Sequence, residues 1–224
     1  MRIVVCVKHV PDMQSERRFE GGRLVRGEDD VLNELDENAI EAAVQLKESE
    51  EDAGCEAEVI ALTMGPEDAE DALMRALQMG ADRAFLVSDE FLEGSDVITT
   101  ASVLSVAIAK ISDECGPVDL VVTGMASLDA MTSMLPGALA AKAHMPLLGL
   151  ARTLSVEDGV ATIERSVDGC TETLRAALPA VVSVTDQINE PRYPAFAAMK
   201  AARKKPLDQW GIDDLVEVPG GQDL

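Results

Sequence analysis

The stretch VIALTMGPEDAEDALMRALQMGADRA, Val59–Ala84, decides the fold class. It opens inside an apolar run, Ala57 to Leu62, of the kind that a strand buried on both faces requires. Gly65-Pro66 then starts a helix. Proline suits a first turn because it has no N–H to leave unpaired, and Glu67, Asp68 and Glu70 lie near the positive end of the helix dipole. Ala72, Leu73, Ala76 and Leu77 recur at helical spacing as the buried stripe, and Gly80 ends the helix. Ala84 to Val87 is the next strand.

The alternation continues outward. Upstream, Ile3 to Val7 is a short β-branched run. In the polar loop after it, Gly21-Gly22, flanked by Arg17–Phe19 and Arg23–Val25, suits a small hairpin. From Asp36 the pattern turns helical, with Ala39, Ile40, Ala43, Val44 and Leu46 separated by acids. Downstream, Asp96 to Ile111 is a helix, Val118 to Thr123 is a strand ending at Gly124, and an alanine-rich helix runs to about Lys142. This order predicts an α/β fold, a mostly parallel sheet flanked by helices on both faces. After Pro146 the rhythm changes. Leu148–Val156, Gly159–Val167 and Thr171–Ala177 are extended runs, with Asp158-Gly159 and Asp168-Gly169 as turn pairs, and they predict an antiparallel β extension over about 147–178. Ala180 to Val184 is again a buried strand that rejoins the main sheet. Residues 1–206 thus read as one α/β domain that includes the antiparallel extension, and 207–224 as a C-terminal arm. Trp210 suits an arm packed on a partner, and equally a flexible tail with one anchored residue.

Composition narrows the function. Hydrophobic residues make up 47% of the 224, enough for a substantial core, but aromatics only 3%, so the core is aliphatic and stacking platforms for single-stranded nucleic acid are not expected. A formal charge of -22 repels DNA and RNA. Cys6, Cys55, Cys115 and Cys170 are far apart and form no C-x-x-C pair, so neither a zinc site nor a disulfide framework follows. The opening MRIVVCVKHV has too short an apolar run for a signal peptide, and no stretch reaches the length of a membrane span; a cytoplasmic protein without membrane insertion is expected. His9 and His144 are the only histidines, and neither has a spaced metal motif or a nucleophile beside it; no catalytic residue and no metal site are expected. His9 lies at a strand end, where both a site role and a packing role are open.

Ligands of open parallel sheets bind at the carboxyl ends of strands, near helix N-termini. Four loops qualify: Lys8–Asp12, Asn33–Asp36, Met64–Pro66 and Gly124–Pro136. In the last, Gly124, Ser127, Asp129, Thr132 and Ser133 are small or polar and precede a helix. Backbone N–H groups there, with two hydroxyls, suit a phosphate; the same residues also suit a plain helix cap. Neither G-x-G-x-x-G nor a Walker A sequence is present.

Five ordered segments resemble the electron transfer flavoprotein beta family: VVCVKHVPD (Val4–Asp12), LNELDENAIEAAVQLKE (Leu32–Glu48), the Val59–Ala84 stretch, DLVVTGMASLD (Asp119–Asp129), and LPAVVSVTDQINEPRYPAF (Leu178–Phe196) running into AAMKAARKKPL. The resemblance covers nearly the whole chain. It implies an adenine nucleotide alpha-hydrolase-like fold and a subunit that carries electrons rather than a stand-alone enzyme. Its partner is an alpha subunit holding FAD. The pair takes electrons from acyl-CoA or related flavin-dependent dehydrogenases and passes them towards a quinone reductase. In many members the beta subunit also holds an AMP. Its contacts carry over to Cys6, to Asn33, Glu34, Leu35 and Asp36, and to Met64. They continue through Gly124, Met125, Ala126, Ser127, Leu128 and Asp129 to Ala130, Met131, Thr132, Ser133, Met134 and Leu135. These are the loops already singled out by topology. The segment after NEPR resembles the family's docking loop, with Phe196 as its apolar anchor and Tyr193, Pro194 and Ala195 beside it. The alternative is that Phe196 is a core residue of the following helix. Lys200, Arg203, Lys204 and Lys205 suit either an acidic partner or the helix dipole.

The chain also departs from the family. AMP-binding members have Asn-Gln-Thr-Gly where this chain has Ser133-Met134-Leu135-Pro136. Bifurcating members, which bind a second FAD in beta, carry a Thr-Ala-Gln-Val-Gly type loop; Thr132 fits it, Met134 and Pro136 do not. AMP, FAD or an empty site are all open, with AMP favoured. Ser166 stands where the family often has a glutamate that clamps the flavin domain, and Met13 where some members place an aromatic near the flavin. From another class, a stand-alone ATP-binding signalling or hydrolase module on a similar fold is the competing reading.

Overall fold

A computed structural model describes residues 1–218 and 220–223. Strand β1 is Arg2–Cys6; β2 (His9–Pro11), β3 (Phe19–Glu20), β4 (Arg23–Leu24) and β5 (Asp30–Leu32) are short pieces in the loop that leads to helix α1, Glu34–Asp52. Then come β6 (Glu58–Met64), a 3-10 turn at Glu67–Ala69, α2 (Glu70–Met79), β7 (Arg83–Val87), α3 (Val97–Cys115), β8 (Leu120–Gly124) and α4 (Leu135–Lys142). The remainder is β9 (Leu147–Ala151), β10 (Thr153–Glu157), β11 (Val160–Val167), β12 (Cys170–Ala177), β13 (Ala180–Val184), α5 (Phe196–Ala202), β14 (Leu207–Trp210) and α6 (Ile212–Val216).

Seven strands form the central sheet in the order β14-β7-β6-β1-β8-β13-β9. Every neighbouring pair is parallel. Side chains alternate across it as strand geometry demands: Ile3 and Val5 enter one apolar core with α1 and α2, while Val4 and Cys6 enter a second core with α3 and α4. The expected stripe of α2, Ala72, Leu73, Ala76 and Leu77, is buried, and Gly80 closes the helix at φ 133°, a conformation that a β-carbon would strain. Asp96 caps α3 by accepting the Thr99 N–H at 2.8 Å. The hairpin β3–β4 turns on Gly21 and Gly22, both at positive φ, as a two-residue turn between twisted strands requires.

Two elements differ from the sequence expectation. The run Leu148–Val156 is not one strand. Leu147–Ala151 is the parallel edge of the main sheet beside β13, and only β10, β11 and β12 form the antiparallel sheet. Leu150 takes φ 64°, its N–H bonds the Ser183 hydroxyl, and the register with β13 shifts there, so the chain bends out of one sheet into the other. At the other end, Leu207–Trp210 adds in parallel to β7, and Trp210 stacks on Phe85 with ring centroids 4.2 Å apart. Trp210 therefore packs within this chain. Of the 207–224 arm, positions 219 and 224 lie outside the described residues.

Candidate nucleotide crevice and docking segment

The strand order reverses at β1: the chain builds β6 and β7 on one side of it and β8 on the other. Crossovers diverge there, and open sheets of this kind bind ligands at the carboxyl ends of such strands, here β1 and β8. Four chain segments meet at this point, and three side chains bind them together.

Asn33 precedes the first turn of α1 and is fully buried. Its amide donates to the Ala126 carbonyl and accepts the Leu128 N–H, each at 3.0 Å, so one side chain fixes the loop after β8 to the start of α1. Asp36, one turn on, accepts the Lys8 N–H at 2.9 Å. Burial pushes its carboxyl up to about 7, against hydrogen bonds from Asn33, Lys8 and Gly124 and the charge of Lys8, all of which favour the anion. Asp129 is tied to the Lys8 amine at 2.8 Å and to the Arg26 guanidinium. Burial works against its charge, but these cations prevail and hold it at about 2. Gly124 packs against this junction so closely that a β-carbon would stand 2.8 Å from the Leu35 carbonyl oxygen. Cys6, at the end of β1, is an inert thiol: burial, then the neighbouring Asp36, push it up to about 12.

The rest of the loop faces outward. Met131, Thr132, Ser133 and Met134 are exposed, and Met131 and Ser133 take φ 51° and 52°. They lead into α4, which carries Pro136 in its first turn. The first N–H groups of a helix lack partners within it, so this loop and helix start carry hydroxyl and N–H donors, less the one that Pro136 cannot supply. Met64 is half-buried at the end of β6, and Glu34 is exposed. The site thus offers buried polar junctions at the strand ends and an outward loop with the Thr132 and Ser133 hydroxyls, while the space beside Gly124 is taken by Leu35 and Asp36. His9 begins β2 with 8% exposure, and neither ring nitrogen has a hydrogen-bond partner among the described residues. The pairing of Lys8 and Arg26 with Asp129 is not legible in the sequence; an arginine in a polar loop carries no signal of the carboxylate it will meet.

A second constellation runs along α1 from Asn38 to Glu48. Arg192 bonds Glu41 and Glu48, and Asn38 exchanges bonds with Asn189. Beyond it Tyr193 and Phe196 are 85% and 80% exposed, whereas Pro194 is buried. Phe196 is thus not a core residue of this chain. Lys200, Arg203 and Lys204 are exposed, but Lys205 turns inward and donates to the Leu77 carbonyl at 3.0 Å and to that of Ala81, capping the carboxyl end of α2. It is not available to a partner. Ser166 and Glu164 lie exposed on β11.

A parallel α/β sheet with its polar junctions at the topological switch point defines the class, a doubly wound α/β domain. The family model described as "Electron transfer flavoprotein domain" matches residues 22–215, and the chain belongs to the electron transfer flavoprotein family. An electron transfer flavoprotein subunit beta of Mycobacterium leprae is 43% identical over 206 residues, covering 91% of this chain and 76% of that protein. The "Caffeyl-CoA reductase-Etf complex subunit CarD" of Acetobacterium woodii is 33% identical, covering 96% and 80%. Protein FixA of Azorhizobium caulinodans is 36% identical, covering 91% and 73%. No helix among the described residues is long and apolar enough to cross a membrane.

Proposed function

We propose that the chain is the beta half of a heterodimer whose alpha subunit carries FAD. In this reading the pair takes electrons from acyl-CoA or related flavin-dependent dehydrogenases and hands them towards a quinone reductase. The flavin, when bound, supplies the redox chemistry. The beta chain is then a carrier subunit without catalytic residues of its own. Its residues hold AMP and dock the dehydrogenase. In the crevice, Thr132 and Ser133 offer hydroxyls to the phosphate, Asn33 keeps the loop in place, and Gly124 lets α1 close on β8 beneath it. Phe196 is the docking anchor, with Tyr193 and Ala195 beside it. A single desolvated aromatic can dominate a small interface. The observation that carries this reading is the family match over most of the chain, joined to polar junctions at the strand ends where the family's nucleotide contacts map. The four unpaired cysteines support a cytoplasmic setting.

The relative in a caffeyl-CoA reductase-Etf complex favours a second reading, in which the crevice holds a second FAD and the protein bifurcates electrons. Coexpression with the alpha subunit, acid release and counting of nucleotides separates the two. One FAD and one AMP per heterodimer supports the carrier; two FAD supports the bifurcating form. FAD alone removes the nucleotide role of the crevice, and no flavin at all overturns both.

A further inference from the structure

Outside the crevice, the most heavily bonded ion cluster among the described residues joins α1 to the segment before α5. Arg192 donates five hydrogen bonds. Its backbone N–H and Nε reach one oxygen of Glu41 at 3.2 and 2.7 Å, and Nη2 reaches the other at 3.1 Å. Nη1 and Nη2 take the two oxygens of Glu48 at 2.6 and 2.9 Å. Glu41 is buried, and Gln45 bonds it as well. Although burial opposes its charge, Arg192 holds the Glu41 carboxyl below its ordinary value. The Asn189 amide donates to the Asn38 carbonyl, and the Asn38 amide donates to both oxygens of Asn189. Asn38, Glu41, Gln45 and Glu48 lie at helical spacing, so one stripe of α1 grips 189–192. The chain is pinned again downstream, where Ala202 of α5 is buried. Between the two pins Tyr193 and Phe196 project, with the Arg75 guanidinium 5.6 Å from the Tyr193 ring centre.

We propose that Arg192 is a positioning residue for docking: its clamp on Glu41 and Glu48 fixes the exposed Tyr193–Phe196 edge in its binding geometry before a partner arrives. The inference rests on the reading of Phe196 as a docking anchor. Only three residues separate Arg192 from Phe196, and one is a proline of fixed φ, so a fixed Arg192 leaves the anchor little freedom. Ordering a mobile segment at the moment of binding weakens association, and an anchor held in advance avoids that cost. The planar fork is needed because two carboxylates are held at once, which an ammonium cannot match bidentately.

The test uses the heterodimer with its alpha subunit and an acyl-CoA dehydrogenase that reduces the wild type, varied as the substrate. Arg192→Gln is compared with Arg192→Lys and Phe196→Ala. Because Arg192→Gln alone strands a buried carboxylate, the pair Glu41→Gln/Arg192→Gln keeps the fold testable. The expected result for the pair is a KM raised about tenfold with kcat and bound nucleotide unchanged, since docking geometry is lost and the chemistry is not. Hydrogen exchange should accelerate across 189–196 only, and Arg192→Lys should fall between. If Phe196→Ala raises KM and the Arg192 variants do not, the clamp is a stabilising bridge and the inference fails. If Phe196→Ala leaves KM unchanged, the docking reading itself falls, and the positioning role with it.

Discussion

Gly124 and Leu35 touch across the switch point: a β-carbon on residue 124 would stand 2.8 Å from the Leu35 carbonyl oxygen and would also crowd the Asp36 carboxyl. The obstacle is helix backbone at a buried, hydrogen-bonded turn and cannot move aside cheaply. Gly124→Ala should therefore cost about 1–3 kcal/mol, as overpacking does. Urea unfolding of the heterodimer would measure it, and bound nucleotide should fall in parallel. Unchanged stability and occupancy would mean that β8 and α1 can separate freely.

Asp36 and Asp129 pull the pH dependence in opposite directions. Asp36 is raised to about 7, so the folded chain holds a proton that the unfolded chain releases near pH 4. Stability from this group falls as pH rises from about 4 to 7 and stays low above. Asp129, held at about 2, contributes stability that is present above pH 4 and lost as pH falls towards 2. Asp36→Asn should flatten the pH 4–7 limb of a stability profile and leave the acid limb in place. A profile whose 4–7 limb is the same in both proteins would refute the assignment.

His9 carries two buried nitrogens without partners, a costly arrangement unless something else bonds them. An apolar replacement of similar size removes that cost. His9→Leu should raise the stability of the isolated subunit by about 1 kcal/mol, the desolvation penalty of an unpaired group. If the alpha subunit or a cofactor supplies the missing partner, the same change should destabilise the heterodimer. Melting temperatures of both species decide between the packing role and the site role left open for this residue.

A charge of -22 on 224 residues makes self-repulsion a global term. Raising KCl from 0.05 to 1 M shortens the screening length from more than 10 Å to about 3 Å. The melting temperature should rise by several degrees, since about 1 kcal/mol shifts a chain of this size by about 2–4 °C. A flat or falling curve would show that local pairs such as Arg192–Glu41, weakened by salt, outweigh the repulsion.

The parallel sheet was legible because Val59–Ala84 contains strand, cap, stripe and stop in sequence order, each set by local chemistry. The candidate loops at the strand ends follow from topology, and the family resemblance names the same loops. Other features depended on partners far along the chain. Leu147–Ala151 and Thr153–Glu157 share one extended pattern, and only the pairing with β13 divides them. Lys205 reads as part of a basic run until the carbonyls of Leu77 and Ala81 receive it. Glu41 sits between Ile40 and Ala42, and nothing local announces that its carboxylate is buried for Arg192.

The stacking of Trp210 on Phe85 sets an order of events during synthesis. Strand β7 leaves the ribosome early, yet its outer edge and the face of Phe85 stay uncovered until Leu207–Trp210 has been made, more than half the chain later. A nascent chain therefore carries an open strand edge for most of its translation, the kind of surface on which chains associate wrongly. Ending the chain before Leu207 would make that interval permanent.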